Sequence, residues 1–178
     1  MKKIIITLLL ITASLTAQQK NFNVGASVGL GTIQGNSPDV TAYGLSTFFG
    51  FTPFFTDYID FRFGFIYAQK VEQILPESRV GRYYPFMKIF YLKGVLSQPI
   101  STKLYIEETI GIITINDRTF SDVNSWDYGA NFSLALGLDL RENNKGFTVG
   151  PIIDYGLTLT NTNASYLMFS LQTQYYFN

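Results

Sequence analysis

Eight charged residues fall on the polar face of an alternating chain: Asp60, Arg62, Lys70, Glu107, Asp127, Asp139, Arg141 and Asp154. Asp60 and Arg62 are two apart on one strand face, within reach of each other and of adjacent strands. Enclosed charges must pair or keep water. Such a set can serve as a structural salt-bridge and hydrogen-bond network, as a proton or ion path, or as a carboxylate pair for acid–base work on a glycoside. The structural network is the reading taken. The chain has no His and no Cys. That excludes Ser-His-Asp and Cys-His nucleophilic sites, Cys- or His-ligated metal centres and disulfides. No catalytic, metal-ligating or cofactor-binding residue is expected.

Other motifs carry little. Gly29-Leu-Gly31 is not followed by a helix, so it is no phosphate cradle. Glu77, Asp117, Asp122 and Asp127 lie in or near loops without the spacing of a cation loop, and read as solvated charges. Arg79, Arg82 and Arg118 are candidates for contact with lipid phosphates.

The elements that must position these residues repeat with period two. Phe22, Val24, Ala26, Val28 and Leu30 alternate with Asn23, Gly25, Ser27, Gly29 and Gly31. The same alternation runs through 128–140, 147–159 and 165–177, and less regularly through 42–52 and 59–71. It is the strand template. Segments 83–96 and 104–115 are poorly phased: Lys88 and Lys93 lie on opposite faces, and Glu107 and Glu108 cannot share one. A β-bulge would reconcile either. Eight strands leave seven connections, short near 53–57, 97–103 and 142–146, and otherwise near 33–41, 72–82, 116–125 and 161–164.

Residues 1–17 join a cationic start, an apolar run Ile4–Ile11 and small residues before Gln18, the pattern of a cleaved signal peptide. One domain then fills 18–178. Without Lys2 and Lys3, eleven cations face 13 anions, a formal charge of −2. Only 15% of the 178 residues are charged, against about 25% usually, which gives no reason to expect nucleic acid.

Eight antiparallel strands close into a barrel with its apolar residues inside, as in soluble ligand-binding barrels, or outside, as in membrane barrels. Three features favour the membrane form. The polar face is rich in Gly and Ser where a soluble exterior would carry Lys and Glu. The signal peptide routes the chain out of the cytoplasm. Aromatic residues gather at strand ends as two girdles. Tyr43, Tyr67, Tyr83, Tyr84, Trp126, Tyr128 and Tyr166 mark one, and Phe51, Phe54, Phe55, Tyr58, Phe61, Tyr105, Phe147, Tyr175 and Phe177 the other.

The chain resembles the small eight-stranded outer-membrane β-barrels of diderm bacteria, the OmpA-transmembrane-domain and OmpX-like group. The resemblance covers 18–178 and rests on pattern. Its most specific piece is the last strand, Tyr166 to Phe177, similar to the family's aromatic-terminated assembly signal; here Asn178 follows the Phe. The resemblance implies a closed up-and-down transmembrane barrel in the outer membrane. It implies a lipid bilayer, lipopolysaccharide and the barrel assembly machinery as partners, and a monomer. The function expected is a non-enzymatic envelope barrel with a plugged polar lumen, in a structural, surface-interaction or accessory role. The alternatives are a secreted periplasmic ligand-binding barrel and a narrow ion-conducting barrel.

Overall fold

The structure, a computed structural model, describes residues 22–53, 55–56, 58–75 and 81–177. The expected signal peptide lies outside them, as do Phe54, Glu77, Arg79 and Asn178. Eight strands follow in order: β1 (Phe22–Gln34), β2 (Val40–Phe51), β3 (Ile59–Lys70), β4 (Phe86–Pro99), β5 (Leu104–Arg118), β6 (Ser125–Asp139), β7 (Gly146–Thr158) and β8 (Ser165–Tyr176). Each pairs antiparallel with the next, and β8 pairs with β1 to close a barrel. The strands run 12 to 15 residues, long enough to cross a bilayer when tilted.

The register fixes the tilt. Neighbours opposite Glu108 run through Leu134, Ile153, Phe169, Leu30, Tyr43, Gln69 and Phe86, and return to β5 at Arg118. The offset is ten residues, an even number, so both ends of the path lie on the same face of the pleat. With strands about 4.8 Å apart and about 3.3 Å per residue, that shear corresponds to a tilt of about 40°.

Alternation settles which face is which. On every strand large apolar side chains stand exposed outside: Leu30, Leu45, Phe63, Leu92, Ile110, Leu134, Ile153 and Phe169. Segments β4 and β5 are as regular as the rest. Lys93 and Glu107 point in, Lys88 and Glu108 point out, and one-to-one pairing runs from Phe86↔Arg118 to Pro99↔Tyr105. No bulge is present there. These strands also reach beyond the expected ends, to Pro99 and Arg118.

Local chemistry sets the joints. Asn143 and Asn144 both take positive φ, 50° and 67°, between the paired residues Glu142 and Lys145. That two-residue turn matches the twist of the flanking strands. Within β7, the pairing with β6 is interrupted at Pro151, which has no N–H to give.

Candidate functional site: the filled lumen

From β3 and β5, Arg62 and Glu107 meet across the lumen as a bidentate pair, at 2.7 and 3.0 Å. Both are buried. Two glutamines of β8 complete the set. Gln174 donates to Glu107 at 3.2 Å and accepts from Arg62 at 3.1 Å, and Gln172 donates to Glu107 at 3.5 Å. The guanidinium also lies 4.3 Å from the centre of the Phe48 ring. A second pair crosses between β4 and β7, Lys93 Nζ to Asp154 Oδ2 at 2.5 Å. Tyr166 donates to the other Asp154 oxygen at 3.0 Å, and Lys93 lies 4.4 Å from the centre of the Tyr91 ring. Each cross-barrel contact joins strands two or more apart, so it ties the wall together where the ladder cannot.

Toward the loops the filling changes. Ile33, Ile66, Met87, Ile89, Ile113, Ile115 and Met168 are all buried and pack as one apolar cluster with Phe48, Tyr91 and Tyr166. The polar-lumen expectation is therefore corrected: half of the plug is apolar. Inward glycines make room for the rings. A Cβ at Gly156 would collide with the Tyr166 ring, and one at Gly137 with the Tyr105 ring.

Above the apolar layer the loop-side mouth is pinned from within. Asp117 accepts the Asn36 backbone N–H at 3.0 Å, the Asn36 side-chain amide at 3.1 Å and the Thr119 N–H at 2.8 Å. Asp127 accepts the hydroxyls of Thr160 and Thr162 at 3.0 and 2.6 Å. Both carboxylates are buried, contrary to their reading as solvated loop charges. Asp117 ties the β1–β2 loop to β5, half-way round the barrel. Among the described residues no group of three or more His, Cys, Asp or Glu is placed to hold a metal ion.

At the other mouth, near the chain termini, a hollow of about 480 Å³ is lined by Thr52, Asp60, Tyr105, Asp139, Arg141 and Tyr176, among others. Arg141 and Asp139 pair at 2.6 Å, both part-exposed. The hydrogen bonds that Arg141 donates to Asp139 raise its guanidinium pKa above the usual value, against the opposing effect of burial. Asp60 accepts from Thr52 at 2.7 Å. Lys70 sits at the opposite rim, paired with Glu72 at 3.0 Å.

The eight expected charges therefore do not form one network. Arg62, Glu107 and Asp154 fill the interior with Lys93, which the sequence reading did not place there. Asp60 and the Asp139–Arg141 pair stay at one mouth, and Lys70 and Asp127 at the other. Arg62 does not pair with Asp60, its neighbour on the same strand face: it turns to Glu107. Three girdle assignments are also corrected. Tyr166 is 1% exposed and lies in the lumen. Tyr105 faces inward over Gly137. Tyr84 is buried in the approach to β4. Elsewhere the rings do lie on the wall. At the terminal end Phe51, Phe61 and Phe55 form one run of ring contacts, and Phe147, Tyr175 and Phe177 form another. At the loop end, Tyr43 and Tyr67 both donate to Gln69 at 3.0 Å, and Trp126 stacks on Phe90.

An enclosed void of about 20 Å³ remains beside Arg62, Lys93 and Asp154, the space of about one water. Both interior carboxylates, Glu107 and Asp154, are bonded to cations.

No protein-family model and no curated protein matches the chain. Solved structures do match in shape. Neisserial surface protein A superposes with a TM-score of 0.65 at 8% identity, over 88% of this chain and 97% of that one. Ail, the attachment invasion locus protein of Yersinia pestis, solved with the heparin analogue sucrose octasulfate, gives 0.57 at 7% identity, over 90% and 100%. In fold, the chain is similar to the small eight-stranded outer-membrane β-barrels.

Proposed function

We propose that this chain is a non-enzymatic integral outer-membrane β-barrel with a plugged lumen, serving envelope structure, surface interaction or an envelope complex. One observation carries the reading: a continuous apolar exterior on all eight strands around an interior filled with side chains. An apolar surface of that extent is not sustained in water. In lipid it is the favourable surface, and closure leaves no unpaired strand edge. The aromatic clusters at both ends support the same placement, because amphipathic rings favour the interface. A ligand-binding barrel needs an open apolar cavity, and the filling here leaves none. The ion pairs, apolar cluster and pinned loop oppose a steady aqueous path.

With eight strands, both termini lie on one side, which is the periplasmic side in this proposal. The expected partners, lipopolysaccharide and the barrel assembly machinery, follow from the same placement. Fractionated envelopes should hold the mature chain, and unboiled samples should migrate differently from boiled ones. A folded, monodisperse, detergent-free monomer in the soluble periplasm would sink the proposal. A Cys at Ser121 should react with an impermeant maleimide on whole cells and one at Asn144 should not; the reverse pattern would invert the topology.

A further inference from the structure

Among the described residues, three charged side chains of the strands point out of the wall: Lys88 on β4, and Glu108 and Arg118 on β5. The register gathers the two cations at one spot. Phe86 stands opposite Arg118, and Lys88 opposite Asn116. Both contact the Phe86 ring, whose centre is 5.7 Å from Lys88 Nζ and 5.7 Å from Arg118 Cζ. Phe86 opens β4 and Arg118 closes β5, so the spot is at the loop-side rim. Tyr83 donates to the Arg118 carbonyl at 2.7 Å and holds that strand end. Trp126, opposite Asn116, flanks the spot and stacks on Phe90.

Neither cation forms an ion pair among the described residues. Arg118 Nε is buried there without a hydrogen-bond partner. Asp117 and Asp127, at the same end, point inward and are bonded to Asn36, Thr119, Thr160 and Thr162, and Asp122 stands exposed in the loop that follows Arg118. The outward carboxylate, Glu108, lies toward the other end. Its neighbour Leu96 faces Ile59, the first residue of β3. Unpaired positive charge thus gathers at the loop-side rim, directly above the apolar wall of Phe90, Leu92 and Ile112.

We infer that Lys88 and Arg118, which share the Phe86 ring at this rim, form a docking site for the phosphate of a lipid headgroup in the loop-side leaflet, its acyl chains lying along Phe90 and Leu92. The inference rests on the membrane placement proposed above. A guanidinium offers a planar fork to phosphate and an ammonium a point charge, and this rim presents both to one anion. An acidic peptide would satisfy the cations but leave the wall below them uncovered. A lipid satisfies both.

The test uses the full mature barrel, refolded into vesicles of phosphatidylcholine and then extracted for native mass spectrometry. Diphosphorylated lipid A is titrated against its dephosphorylated form, with inorganic phosphate as a separate arm. The wild type should retain the phosphorylated lipid preferentially. Lys88→Gln with Arg118→Gln should lower its retention about tenfold or more, while Lys145→Gln, in the turn at the opposite end, leaves it unchanged. Equal retention of both lipids, or no loss in the double variant, overturns the inference while leaving the barrel in its membrane. Full competition by inorganic phosphate would also overturn it, as anion binding that needs no lipid. A chain that fails to enter vesicles at all overturns the membrane placement and this inference together.

Discussion

Arg62, Glu107, Lys93 and Asp154 fill the half of the lumen nearer the chain termini, whereas Ile66, Ile89, Ile113 and Met168 fill the half nearer the loops. The two halves hold the same wall at similar closeness by different physics. The charged half is directional: each pair joins particular strands and leaves a costly orphan if one partner goes. The apolar half is non-directional and degrades in proportion to the volume removed. The difference predicts where single substitutions are severe and where they are mild.

The severest should be Arg62→Ala. Glu107 is fully buried, and its remaining donors would be the two glutamines. Stranding such a charge costs about 3–5 kcal/mol, read as a lower urea midpoint for the vesicle-refolded barrel. Replacing both partners by Leu should restore most of that loss. If Arg62→Ala and the double variant unfold alike, the pair is not the directional tie described. Neither variant should conduct in planar bilayers, because the apolar half still seals the barrel. Steady conductance in Arg62→Ala would show that the charged half alone is the seal.

Next comes Leu134→Arg. Leu134 is 48% exposed on the wall beside the inward Ser133. The outward Glu108 stands opposite it and offers an ion-pair partner, so an Arg there should cost about 2 kcal/mol, the low end for a charge on the lipid face. Normal stability in lipid would mean that β6 has been assigned inside out. Ser133 and Thr109 share a buried hydrogen bond of 2.5 Å, so Ser133→Ala should cost about 1 kcal/mol.

Tyr166→Phe tests the seam between the halves. The Tyr166 ring packs with the apolar cluster, and its hydroxyl reaches Asp154 at 3.0 Å. Because Asp154 keeps Lys93, the loss should be about 1–2 kcal/mol. A loss as large as that of Arg62→Ala would move Tyr166 into the charged half.

Much of this contrast was hidden in the sequence for a physical reason. Alternation is visible only where the two faces differ in chemistry. In β1 and β6 they do, and both strands were legible. In β5 the outward Ile110 and Ile112 are followed by the inward Ile113 and Ile115, so the middle of that strand is apolar on both faces. The same holds for Ile89 and Phe90 in β4. The strands that build the apolar plug are therefore the ones whose phase could not be read, and Lys93 was left unplaced with them. Tyr166 and Tyr105 are a different case. Tyr166 shares parity with Gln172 and Gln174, and Tyr105 with Glu107, which already marked both as inward; assigning rings by position along the strand overrode that signal. Asp117 could not have been found, since its partner Asn36 is 81 residues away.

The smallest expected effect is Ile113→Val, and it bears on what the apolar half is for. Ile113 is 3% exposed, and its Cδ1 lies beside Gly156 under the Tyr166 ring. Removing that methyl takes away one transfer increment and leaves a small dry gap, about 0.5–1.5 kcal/mol in total. Filling the gap from the other side should not work. In Gly156→Ala the new methyl meets the Tyr166 ring before it meets the space vacated by Ile113, so the double variant should be less stable than Ile113→Val alone. Urea unfolding of the three variants in one vesicle composition checks both statements. If Gly156→Ala instead rescues Ile113→Val, the loop-side plug is loosely packed and can rearrange. The contrast between a directional half and a volume-filling half would then become one between a rigid half and a soft one.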